Sequence, residues 1–143
     1  MKKLILTFVI IACASSFAVA QKRRAVKTGP PNGIFTPAIV TGDLVFTSGQ
    51  IGVDAKGQIV EGGIEAQTEQ VFRNLATVLE AAGSSVDNIV KATVFLADMN
   101  DYNTMNELYK KHFKGDPPAR TTVQVARLPR DAKIEIEAVA VLK

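Results

Sequence analysis

Few residues in this 143-residue chain are equipped for chemistry. His112 is the only histidine and stands among Lys110, Lys111 and Lys114. That setting reads as a solvated side chain or a partner for a helix C-terminus rather than as a base or metal ligand. The only cysteine is Cys13, so no metal cluster can be assembled around His112. The sequence contains no phosphate-cradling glycine loop, no G-x-G-x-x-G and no G-x-S-x-G, which leaves cofactor chemistry and a serine nucleophile without a handle. What remains is Arg120, emerging from the stiff Pro117-Pro118 segment into a strand, and Glu135 on the following strand, where a hairpin would make the two neighbours. Arginine offers a planar fork for a substrate carboxylate, and a nearby carboxylate can position or deprotonate a water molecule. The same two residues equally describe a plain cross-strand salt bridge, and spacing does not separate the readings.

The elements that must carry these side chains follow from periodicity. Ile39-Val40, Thr41-Gly42-Asp43 and 44–48 read as strand, turn, strand. Ile64, Val71, Leu75, Val78, Leu79 and Ala82 recur at helical spacing, with Gly83 where a C-terminal glycine belongs, so a helix is expected over 64–82. A strand over 89–97 leads to a second helix that opens near residues 100–104 and runs to about Phe113. Two strands follow, near 120–127 and 133–142. The order β-β-α-β-α-β-β predicts an α+β fold, one mixed sheet with both helices on one face. On the last strand Ile134, Ile136, Ala138, Ala140 and Leu142 should face the helices. The other face begins with Lys133, Glu135 and Glu137 but ends with Val139 and Val141, apolar where solvent would favour polar residues. A second copy of the chain is the expected cover.

The first twenty residues, MKKLILTFVIIACASSFAVA, have two lysines, an apolar run and Ala18-Val19-Ala20 before Gln21, the pattern of a secretory signal cleaved after Ala20. Ile10-Ile11-Ala12-Cys13 offers a rival lipoprotein reading with an acylated Cys13. The apolar run is too short to span a membrane. Cleavage after Ala20 would leave no cysteine, in keeping with an exported, periplasmic protein. Residues 21–32 are a basic, Pro/Gly-rich lead-in, and 33–143 form a single domain. The whole-chain charge of +3 comes from the two N-terminal segments: without the six cations at 2, 3, 22–24 and 27, eleven basic face fourteen acidic groups. A body near −3 argues against nucleic acid as the main partner.

Several blocks resemble one family. Thr47-Ser48-Gly49-Gln50-Ile51, the A-A-G at 81–83 followed by Asn88 to Leu96, and Pro118-Ala119-Arg120-Thr121 running through Val125-Ala126-Arg127-Leu128-Pro129 to Ile134-Glu135-Ile136-Glu137-Ala138 are similar to the RidA or YjgF family, over about residues 33–142. The resemblance implies a chorismate-mutase-like α+β fold and a homotrimer with clefts between subunits. It also implies hydrolysis of enamines and imines such as 2-aminoacrylate to the 2-keto acid and ammonia, without cofactor or metal. Under it Arg120 would hold the substrate carboxylate and Glu135 would orient or activate water. Ser48 and Gly49 would line the cleft, Asn106 would lie at its edge, and Phe95 and Ile136 would shape it. Two positions depart from the family pattern. Gly33-Ile34-Phe35 stands where a tyrosine is common, and Thr122 where many members carry cysteine, so activity is expected to be altered, slowed or redirected toward a bulkier imine. The alternatives are a non-catalytic small-ligand binding or chaperone-like protein and, against the charge of the body, an endoribonuclease.

Overall fold

The computed structural model describes residues 22–28 and 34–143. The expected leader, the rival Cys13 site and Gly33 lie outside the described residues. The elements are β1 (Arg24–Val26), β2 (Ala38–Thr41), β3 (Leu44–Thr47), β4 (Gln50–Ile51), α1 (Gly63–Ala82), β5 (Ile89–Leu96), α2 (Tyr102–Tyr109), β6 (Ala119–Gln124) and β7 (Ile134–Val141), with short 3-10 turns between some of them. The strands form one mixed sheet in the order β1-β2-β3-β7-β5-β6, and β4 pairs with β7 beyond the end of β3. Among the described residues only β5 and β6 run parallel, because α2 carries the chain between them in a β-α-β crossover.

Helix α1 forms because its apolar residues make one stripe. Val71, Leu75 and Leu79 are fully buried and meet Val45, Val94, Ile134 and Ala140 from the sheet in one core. Gly83 ends the helix at φ 93°, a left-handed conformation suited to glycine, and the next amide, of Ser84, donates to the Leu79 carbonyl at 2.8 Å. The strand alternation agrees: Ile134, Ile136, Ala138 and Ala140 of β7 are buried toward the helices, while Glu135, Glu137, Val139 and Val141 lie on the other face. Among the described residues no helix is long and apolar enough to cross a membrane.

Three features differ from the sequence expectation. Part of the basic lead-in joins the sheet: β1 pairs with β2, Val26 is buried, and Arg24 Nη2 donates to the Ala82 carbonyl at 2.8 Å, placing a cation at the C-terminus of α1, whose last turn has no basic residue. The second helix stops at Tyr109, and residues 110–112 tighten into a 3-10 turn. Finally, β3 and β4 are one strand interrupted by a bulge. Phe46 is opposite Val139 and Gln50 is opposite Ile136, so four steps on one side match three on the other. Inside it, the Ala138 amide donates to Thr47 Oγ1 at 2.9 Å, replacing a ladder bond with a side chain.

Candidate functional site

Strand β6 puts Arg120 opposite Ala92 of β5, a residue buried toward the helices. The half-buried guanidinium therefore rises under α2. Its Nη2 donates to Asn106 Oδ1 at 2.6 Å, and its Nη1 lies 3.7 Å from Met105 Sδ. The guanidinium carbon sits 4.5 Å from the centre of the Tyr109 ring and 5.9 Å from that of Tyr102. Among the described residues no carboxylate lies within ion-pair distance of it. Arg120 is thus held by an amide, a thioether and two aromatic faces, none of which neutralises its charge. Thr122 is two residues further along β6 on the same face, and its buried Oγ1 has no hydrogen-bond partner among the described residues.

Glu135 belongs to a different surface. It lies opposite Phe95 on β5 and Ile51 on β4, facing away from the helices. Its carboxylate crosses the bulge so closely that a β-carbon on Gly49 would fall 1.8 Å from Oε1. Glycine is required there for close approach rather than for a turn. Burial, and then the neighbouring Glu137, push the Glu135 carboxyl above its ordinary range. Ser48, the other bulge residue, ties down the incoming chain: its Oγ donates to the Thr36 carbonyl at 2.7 Å and its amide to the Pro37 carbonyl at 2.8 Å.

The expected Arg120–Glu135 hairpin contact is therefore corrected. β5 lies between β6 and β7, and because Ala92 and Phe95 are three residues apart, the side chains paired with them point to opposite faces. The structure brings together Arg120, Asn106 and Thr122 on one face, and Glu135, Gly49 and Phe95 on the other. Ile136 joins neither: it is 1% exposed and packs in the core. Phe35 is 55% exposed at the start of the segment that Ser48 holds. The face bearing Glu135 also exposes Leu44, Phe46, Val123 and Val141, and a hollow there is lined by Phe46, Thr47, Lys91, Thr93, Glu137, Ala138 and Val139.

The family model described as endoribonuclease L-PSP matches residues 26–142. The chain belongs to that family, the RidA/YjgF group of the sequence blocks. It is 46% identical over 123 residues to a human protein named 2-iminobutanoate/2-iminopropanoate deaminase, covering 83% of this chain and 90% of the relative. Among solved structures, yeast Mmf1 is similar at a TM-score of 0.81 and 39% identity, with 85% of this chain and 100% of that one covered. Escherichia coli TdcF with bound serine is similar at a TM-score of 0.76 and 40% identity, with 84% and 99% covered.

Within this family member, Met105 and the two tyrosines beside Arg120 escaped sequence reading. Tyr102, Met105, Asn106 and Tyr109 share one stripe of α2 at helical spacing, which reads as ordinary core until the strand beneath it is known to carry a cation. His112 is also corrected. Its ring lies flat on Phe72, 3.9 Å between centroids and 8° between planes, with Nε2 3.4 Å from Glu69 Oε2, so it is packed rather than solvated. Among the described residues no group of histidine, cysteine or acidic side chains could hold a metal ion.

Proposed function

We propose that this protein is a cofactor-independent deaminase that hydrolyses enamines and imines of 2-amino acids, such as 2-aminoacrylate or 2-iminobutanoate, to 2-keto acids and ammonia. The single observation that carries this reading is the half-buried, uncompensated guanidinium of Arg120, a ready partner for the substrate carboxylate. The name of the human relative and the serine bound to TdcF support the substrate class.

The chemistry asks little of the protein. An enamine tautomerises to the imine, whose carbon is already electrophilic, so orientation and proton transfer suffice. Arg120 fixes the carboxylate. Water adds to the imine carbon, forming a C–O bond as the C=N electron pair moves to nitrogen, and Glu135 takes the water proton. It passes that proton to the nitrogen, giving a neutral carbinolamine, then takes the hydroxyl proton and delivers it to the amine, so that the C–N bond breaks, the carbonyl forms and ammonia leaves. A carboxyl raised toward neutrality is suited to both transfers.

The reading includes assembly. Arg120 and Glu135 face opposite ways in one protomer, so one site can use both only if two protomers share it. A closed homotrimer does this and covers Leu44, Phe46, Val123 and Val141. Phe35 then supplies a ring without a hydroxyl, and the unpartnered Thr122 Oγ1 supplies a hydroxyl to the substrate, a pairing suited to bulkier imines. The N-terminal pattern supports export with cleavage after Ala20, which intact-mass measurement of secreted protein tests.

The direct test is ammonia and keto-acid release by residues 21–143 from freshly generated imines, beside Arg120→Ala. Acceleration by the wild type alone supports the arginine-anchored deaminase. Rates equal to buffer for both make the site a binding site instead.

A further inference from the structure

We infer that Tyr109 is a positioning residue for Arg120, its ring face standing where a carboxylate would ordinarily hold a half-buried guanidinium, so that the full positive charge stays available to a substrate carboxylate. The inference rests on the proposed carboxylate-binding role of Arg120 and extends it to how that arginine is held.

A semi-buried cation needs stabilisation, and a protein carboxylate is the ordinary source. Such a carboxylate would compete with any anionic substrate for the same N–H groups. An aromatic face attracts the cation through its quadrupole and occupies none of them. The Tyr109 ring meets the guanidinium at 4.5 Å, while Asn106 takes a single N–H through a neutral oxygen. The ring is immobilised from behind: Phe72 meets it edge-on at 5.4 Å and Phe113 packs against it at 5.0 Å. Tyr109 is 3% exposed, and its hydroxyl has no hydrogen-bond partner among the described residues. The ring therefore acts on Arg120, and the hydroxyl is dispensable to that role. Burial pushes the phenol up to about 12, despite Arg120 acting the other way, so it stays neutral beside the cation.

The test uses residues 21–143 as wild type, Tyr109→Phe, Tyr109→Leu and Asn106→Asp. Binding of 2-oxobutanoate is followed by calorimetry, and imine hydrolysis by kcat and KM. Tyr109→Phe keeps the face and should bind 2-oxobutanoate as the wild type does. Tyr109→Leu should weaken binding about 3- to 30-fold, the span of a desolvated cation–π contact. Asn106→Asp installs the missing counter-ion at nearly constant shape. It should weaken binding at least about ten-fold and raise KM while kcat stays within about three-fold. The inference is overturned if folded Tyr109→Leu binds like wild type, or if Tyr109→Phe is as weak as Tyr109→Leu. Should Tyr109→Leu not fold, Asn106→Asp decides, and wild-type binding by that variant overturns the neutral cradle. A wild type that binds the keto acid but releases no ammonia defeats the deaminase reading while the cradle is still judged by binding. Turnover with variants that bind unchanged defeats the cradle alone, and a wild type that does neither defeats both.

Discussion

Arg120 and Glu135 occupy opposite faces of the same sheet, separated by β5, which pairs Arg120 with Ala92 and Glu135 with Phe95. No rotamer change within a protomer brings a guanidinium and a carboxylate together through a sheet. If both serve one reaction, they come from different subunits, and this makes a strong prediction. Arg120→Ala and Glu135→Gln should each be inactive alone. Unfolded together and refolded as a mixture, they should recover activity, because about a quarter of the sites in a randomly mixed closed trimer receive both wild-type groups. Ammonia release from the refolded mixture checks this; no recovery would place the two groups in separate functions.

The carboxyl of Glu135 carries a sign that can be read by pH. Burial raises its folded value above the usual 4.5, so the unfolded chain ionises first as pH rises. In that window the folded state binds more protons, and stability falls as pH rises through it. Glu135→Gln removes the penalty. It should therefore melt like wild type near pH 4, melt higher near pH 7, and lose roughly 10²- to 10⁴-fold in kcat, the range for a general base. Melting curves at three pH values beside kcat measure both halves; a variant less stable at pH 7 than wild type contradicts the assignment.

Much of this was legible beforehand, for identifiable reasons. The stripe of α1, Gly83, and the alternation along β7 are local patterns, and each forecasts its own element. The pairing of β6 was not legible, because a strand's neighbour depends on where the connection runs. The α2 crossover makes β6 parallel to β5, while the succession of β6 and β7 in the sequence suggested a hairpin. The arginine and glutamate were identified by residue type and by resemblance, but their separation needed the register. β1 and β4 were missed because three and two residues carry too little periodicity, and pairing alone defines them. Tyr109 was missed because an aromatic residue at core spacing looks the same whether it packs on a leucine or on a guanidinium.

Gly49 is a second place where register creates chemistry. The bulge brings its backbone against Glu135, where any β-carbon would overlap Oε1. Gly49→Ala should displace the carboxylate rather than unfold the chain, because the obstructing atom ends a half-buried side chain. The expected result is a loss of about ten-fold or more in kcat, with a cost in stability of about 1 to 3 kcal/mol. The cost should shrink in a Glu135→Ala background, where the clash has no partner. A double-mutant cycle by denaturant unfolding measures the coupling, and strict additivity would mean that the two groups do not touch.

Replacing the arginine while keeping its charge separates recognition from simple attraction. Arg120 presents a planar fork with one N–H on Asn106 and a face on Tyr109, which leaves its remaining donors in a fixed plane. Lysine at the same position keeps one positive charge but loses the plane, the second parallel donor and the stacking face. If the site needed only a cation, Arg120→Lys would bind 2-keto acids nearly as well as wild type. The neutral cradle argues otherwise, since an ammonium cannot bond to Asn106 and hold a carboxylate in two-point register together. Arg120→Lys should therefore lose about 10- to 150-fold in kcat/KM, the worth of a hydrogen bond to a charged group. Steady-state kinetics on the imine, with 2-oxobutanoate binding in parallel, distinguish the two cases: a lysine variant within about two-fold of wild type in both would show that charge alone recognises the substrate.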